Sequence, residues 1–294
     1  MEKPAAFCEN VRLRVTQHKV GPVPDQDPPC EEVKIALPLP LAAELRYAAG
    51  QVGQSLSHFA QKALLQYLQD EGDANAVYLS APVNAMLKGY YEEDTTLGEL
   101  KKHGDFGLGT FNNLDGEMVM LDGVIYQLQA DGKTCPVDDQ VQTPFACVTF
   151  YRPTVIEAIE GDLPFDAFNA LLNRMLPSDN MLYAIRVEGL FRHVQVWSVT
   201  RQENYRPLSE DDRNRPVFAY ENIDGVLAGF YTPKFIRALN FPGFHLHFLT
   251  ADREYGGHLQ ECHIGRVQIG IQFIRQLKLN MPMTLDYLTA SLPR

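Results

Sequence analysis

Beyond about residue 75 the apolar positions come in short runs parted by turn residues, the pattern of strands rather than of long helices. Turn signals stand at His103-Gly104-Asp105, Asp115-Gly116 and Asp122-Gly123. Between them, Glu117 to Leu121 and Val124 to Leu128 predict two strands, and Phe145 to Phe150 predicts a third. Further strands are expected over Leu182–Val187, Phe191–Val199, Gly225–Tyr231, Gly243–Leu249 and His258–Phe273. One helix interrupts the series, because Phe165, Phe168, Leu171, Leu172 and Met175 fall on one stripe within residues 163–176. The balance predicts a β-rich α+β protein.

The first 74 residues have a different texture. VGPVPDQDPPC, ending at Cys30, carries four prolines and is expected to be extended, so residues 1–30 read as a tail and linker. Glu31 to Leu37 alternates enough for one short strand. Pro38 and Pro40 break it and suit a helix start, after which Leu41, Leu45, Ala48, Ala49 and Val52 recur at helical spacing. Gly53 ends that helix and Ser55 can cap a second, whose apolar face is Leu56, Phe59, Ala60, Ala63, Leu64, Tyr67 and Leu68. This strand-helix-helix unit, residues 31–74, resembles the ribbon-helix-helix module of small bacterial repressors. Such modules dimerise by pairing strands and read DNA with outward strand side chains. Here the strand offers only Lys34 as a cation, and Lys34, Arg46 and Lys62 are offset by Glu31, Glu32 and Glu44. The unit is therefore read as a dimerisation or packing appendage, with DNA as the less favoured partner.

Composition narrows the class. At 294 residues, 45% hydrophobic and 21% charged, the chain is a soluble globular protein able to bury a sizeable core. A net charge of −11 without a local basic patch disfavours nucleic-acid phosphates as a general partner. The five cysteines are odd in number and form no CxxC pair, which suits reduced thiols in the cytoplasm. The start MEKPAAFCENVRLRV lacks an apolar signal core, and no long apolar run follows, so neither secretion nor a membrane partner is expected.

The strongest chemical signal is FPGFHLHFLTADREYGGHLQECHIG. His245 and His247 are two apart on an expected strand and point to one face. If the chain doubles back between Asp252 and Arg253, residue 247 lies opposite 258 and His258 joins them. Three imidazoles with an open fourth position make a catalytic zinc site. The bland alternative is three unrelated histidines in an aromatic hairpin. Cys262 has the parity of His258 and is read as wall near the site, whereas His263 is read as structural. The chain has no GxxxxGK[ST] phosphate loop, dinucleotide fingerprint or GxSxG elbow.

Several stretches, in collinear order from about Val77 to Leu292, resemble the α-acetolactate decarboxylase family. They are His103-Gly104-Asp105-Phe106-Gly107-Leu108-Gly109-Thr110-Phe111, Leu114-Asp115-Gly116-Glu117-Met118, Leu121-Asp122-Gly123 and Thr143-Pro144-Phe145-Ala146. The last are Gly243-Phe244-His245-Leu246-His247-Phe248 and Gly256-Gly257-His258. The resemblance implies a two-lobed β fold over residues 75–294, the lobes being roughly 75–185 and 186–294. It implies one zinc ion per chain held by His245, His247 and His258, and conversion of 2-acetolactate to acetoin and carbon dioxide through a metal-stabilised enediolate. It further implies an active-site carboxyl at Glu117 and a cleft residue at Thr110. A homodimer acting on a keto or hydroxy acid is the expected assembly.

Two positions depart from that pattern. Trp197 stands where the resemblance implies an arginine, and Arg201, four residues on with the same strand parity, is the candidate replacement beside Trp197 in the substrate pocket. The resemblance also implies a glutamate near the C-terminus, yet from Met283 to Arg294 the only acid is Asp286. These departures keep two alternatives open: a relative acting on another keto or hydroxy acid, and a small-molecule sensor coupled to the N-terminal unit.

Overall fold

The computed structural model describes residues 8–16, 30–62, 75–202 and 215–290. The chain divides into two compact units, Met1–Gly72 and Asp73–Arg294.

In the first unit, strand β1 (Cys8–Thr16) pairs antiparallel with β2 (Cys30–Pro38). Residues 8–16 are thus strand and not tail. Their sequence accounts for it, since Val11, Leu13 and Val15 alternate with polar residues at the strand period. Helix α1 (Leu39–Gln51) follows and buries Ala42 and Ala49, seven apart and on one face. A second helix, α2, opens at residue 56 and is described to residue 62. The Ser55 hydroxyl accepts from the His58 backbone N–H at 3.2 Å, an N-cap. Ala60 packs there with Leu37 and Leu56. Ala63, Leu64, Tyr67 and Leu68 lie outside the described residues.

The second unit is built on two sheets. Strands β3 (Ala76–Leu79), β4 (Phe106–Thr110), β5 (Glu117–Leu121), β6 (Val124–Leu128), β7 (Thr134–Pro136) and β8 (Ala146–Thr149) belong to one. With β14 (Gln276–Leu279) they run in the order β14-β3-β8-β4-β5-β6-β7, and only the β14–β3 pair is parallel. Short helices α3 (Val83–Leu87) and α4 (Leu97–Leu100) lie between β3 and β4. The other sheet holds β9 (Val155–Leu163), β10 (Leu182–Trp197), β11 (Val217–Thr232), β12 (Gly243–Thr250) and β13 (Gly256–Ile274). Because β10 pairs with both β11 and β13, and β12 with both β11 and β13, those four strands close on themselves, and β9 extends the edge at β13. Helix α5 (Phe165–Met175) covers this sheet, and α6 (Leu285–Thr289) follows β14. The switch between sheets falls between Thr149 and Val155, β14 returns to the first sheet, and the lobe boundary expected near residue 185 falls inside β10.

The two strands expected at 182–187 and 191–199 are one strand, β10. Gly189 carries it across the expected break at φ +142°, where an added Cβ would stand 2.4 Å from the Arg266 carbonyl oxygen. Among the described residues, no helix is long and apolar enough to cross a membrane.

Strand parity sorts the core into faces. On β5, Met118 and Met120 pack with Leu97, Leu100 and Ile125 on one side, while Val119 and Leu121 enter the core shared by the two sheets. On β4, Phe106 and Leu108 enter that shared core, and on β12 Leu249 does, whereas Leu246 and Phe248 face the core under α5. Glu117, Thr110, His245 and His247 have the parity of the shared-core residues. The pattern therefore aims one carboxyl, one hydroxyl and two imidazoles into the space between the sheets.

Candidate metal centre

His247 of β12 is the direct cross-strand partner of His258 of β13, the register that a turn at Asp252-Arg253 requires. His258 is in turn opposite Trp197 at the end of β10. Gly257 permits this three-strand junction, since a Cβ there would stand 2.8 Å from the Trp197 carbonyl oxygen and 2.8 Å from a Val196 methyl.

The three imidazoles converge, with one nitrogen from each of His245, His247 and His258 within 4.8 Å of the others. Nε2 of His245 and Nε2 of His247 are 3.2 Å apart. Two nitrogens of a tetrahedral zinc site, each about 2.0 Å from the ion, stand about 3.3 Å apart. Nδ1 of His247 donates to the Met118 carbonyl at 2.8 Å, which leaves its Nε2 lone pair facing the cluster. Nδ1 of His245 and Nδ1 of His258 are buried without a hydrogen-bond partner. Desolvation holds all three rings neutral: His247 is pushed down to about 4, and His245 and His258 lie well below the usual imidazole range. Three neutral rings with unpartnered nitrogens are a donor set suited to a divalent cation, and the residues present fit one.

Glu117 faces the cluster from the opposite sheet. Its carboxyl oxygens stand 3.7 Å from Nε2 of His247 and 4.0 Å from Nδ1 of His258. Burial pushes its pKa up to about 8, against a smaller opposing pull from Arg215. Thr110 pairs with Glu117 across β4 and β5, and its hydroxyl donates to the Gly116 carbonyl at 2.7 Å, tying down the turn that delivers Glu117.

A cavity of about 280 Å³ opens on these groups. Thr110, Glu117, Trp197, His245 and His258 line it, with an apolar wall that includes Met86, Leu114, Phe145 and Phe241. The indole of Trp197 stacks on His258, centroids 4.0 Å apart and planes at 21°.

Two expectations are corrected. Arg201 does not line the cavity; its exposed guanidinium stands 3.6 Å from Asp115. The parity argument fails because β10 ends at Trp197 and alternation stops with it. Cys262 is not a wall of the site. Val196 pairs with Leu259 but Gln195 with Glu261, so one extra residue, Gln260, enters as a bulge and reverses the parity beyond it. Cys262 turns into the core under α5 beside Phe191 and Val194. His263 pairs with Asp162 at 2.8 Å, away from the cavity lining.

Arg215 was not expected. It lines the cavity just before β11, with Cζ 4.1 Å from the Trp197 ring centroid. Its local sequence, charged residues beside Pro216, reads as a solvated loop, so only the pairing of β11 against β10 reveals its place.

Residues 77–294 match the family described as alpha-acetolactate decarboxylase. The alpha-acetolactate decarboxylase of Methylococcus capsulatus is 40% identical over 219 residues, covering 74% of this chain and 84% of that protein. That of Bacillus subtilis is 36% identical over 225 residues, covering 76% of this chain and 88% of that protein. A crystal structure of the Bacillus subtilis enzyme superposes with a TM-score of 0.72 at 36% identity, covering 74% of this chain and 94% of that one. A Staphylococcus aureus protein of unknown function, similar to alpha-acetolactate decarboxylase, superposes with a TM-score of 0.71 at 25% identity, covering 74% of this chain and 94% of that one.

Proposed function

Since this chain belongs to the alpha-acetolactate decarboxylase family, we propose that it is a carboxy-lyase that converts 2-acetolactate to acetoin and carbon dioxide with one zinc ion per chain. The observation that carries the reading is the convergence of His245, His247 and His258 beside a buried carboxyl, Glu117, at a cavity that Glu117, His245 and His258 line. These histidines would hold the metal, which supplies Lewis acidity toward oxygen charge that develops as the carbon–carbon bond breaks.

The chain's own groups account for the rest. The electron pair of the breaking bond moves onto the ketone, leaving an enediolate that must gain one proton on carbon. Glu117, whose burial favours its protonated form, faces the cavity and is placed to donate to that carbon and be recharged from solvent. Thr110 positions Glu117 through the Gly116 carbonyl. Apolar walls exclude water from the enediolate, so the proton comes from one side. The indole of Trp197 forms one wall, and the size of the cavity also suits an acid with a larger acyl group.

We further propose a cytoplasmic homodimer in which the first unit is an assembly appendage. Free thiols at Cys135, Cys147 and Cys262 support the location. The test of function is direct: purified chain with zinc and racemic acetolactate is expected to form acetoin well above the spontaneous rate. Acetoin formation at the background rate would overturn the reading.

A further inference from the structure

We propose that Arg215, laid against Trp197, is the cation that binds the substrate's carboxylate. The inference takes the identity of the acid from the decarboxylase reading but stands on geometry of its own.

A carboxylate entering this cavity exchanges water for a largely apolar wall, where a charged N–H donor stabilises it. Among the described residues, Arg215 is the only lysine or arginine that lines the cavity. Its guanidinium carbon stands 4.1 Å from the Trp197 ring centroid, a cation–π distance. Among the described residues no carboxylate is ion-paired with it, in contrast to Arg186 and Arg152, which are paired to Asp122 and Asp105. A guanidinium held by a cation–π contact still carries N–H donors that can pair bidentately with a carboxylate.

The backbone explains why the two side chains meet. Trp197 pairs with Val217, the first residue of β11, and the Ser198 N–H donates to the Pro216 carbonyl at 3.2 Å, so the chain just before β11 stays alongside the end of β10 and carries Arg215 to Trp197. Trp197 is itself stacked on His258, so the indole fixes the guanidinium relative to the metal-ligand cluster. Arg215 thus sets where the carboxylate sits, and Trp197 is its positioning residue.

The test separates binding from turnover. 2,3-Dihydroxy-2-methylbutanoate keeps the carboxylate of acetolactate but lacks the ketone that accepts the electron pair, so it cannot decarboxylate. Its affinity for the zinc-loaded chain, and that of uncharged acetoin, are measured by calorimetry for wild type, Arg215→Met and Arg215→Lys. Arg215→Met is expected to weaken the acid by roughly 10- to 100-fold and acetoin by less than about twofold, as removing a charge-assisted pair requires. Arg215→Lys is expected to recover only part of the acid affinity, because an ammonium restores the charge but not the bidentate pair or the stack, and KM for acetolactate is expected to rise in Arg215→Met in step with the lost affinity. Zinc content is measured on each sample to show that the cluster is intact. Unchanged acid affinity in Arg215→Met, or equal loss of acid and acetoin, would overturn the proposal. Acid binding that depends on Arg215 in a wild-type chain forming no acetoin would sustain it while refuting the decarboxylase reading.

Discussion

Trp197 lies on His258 with ring centroids 4.0 Å apart, and it is the only tryptophan in the chain. The site therefore contains its own reporter. Zinc added to metal-free protein is expected to change the intrinsic fluorescence, saturating at one ion per chain. The His245→Ala, His247→Ala double variant is expected to abolish both the change and the stoichiometric zinc. Retention of one tight zinc by that variant would place the metal elsewhere.

Glu117 is buried against two of the candidate ligands, so its chemistry and its packing must be tested apart. Glu117→Gln keeps the shape and removes the acid. Loss of at least roughly 100-fold in kcat is expected, the scale of a lost general acid, with zinc content unchanged. A kcat within a few-fold of wild type would remove Glu117 from the proton step.

The Gly257 contact predicts a structural route to the same loss. In Gly257→Ala the added methyl meets the Trp197 carbonyl and a Val196 methyl, and β13 must shift against β10. A cost of about 1–3 kcal/mol is expected in denaturant unfolding, typical of overpacking. Weaker zinc binding should accompany it, because His258 is the next residue. Wild-type stability together with wild-type zinc affinity would show that the junction yields freely.

A second raised carboxyl sits away from the cavity. Glu93 is buried, accepts from the Thr284 hydroxyl at 2.9 Å, and is pushed up to about 7, chiefly by desolvation. In the unfolded chain a glutamate titrates near 4.3. Between those values the folded state holds a proton that the unfolded state has lost, so stability falls as pH rises through this window and levels off above about 7. Glu93→Gln is expected to raise Tm relative to wild type at pH 8 and to leave it little changed at pH 4. Equal Tm differences at both pH values would contradict this account.

Local periodicity determined a good part of this protein. The two-residue spacing placed His245 and His247 on one face, the turn at Asp252-Arg253 put His258 opposite His247, and the apolar stripe located α5. These succeed because side-chain direction along an unbroken strand or helix depends on near neighbours alone. The remainder depended on partners far along the chain. Strand β1 was missed where four prolines nearby suggested a linker, and its pairing with β2 is a contact between distant residues. The bulge at Gln260, set by the pairing of β13 with β10, turned Cys262 away from the cavity. The end of β10 released Arg201 to the surface, and the pairing of β11 with β10 brought Arg215 over Trp197. The sequence by itself determined which imidazoles share a face; only the closed sheet decided which cation meets them, because bulges and strand ends are settled by the neighbouring strand.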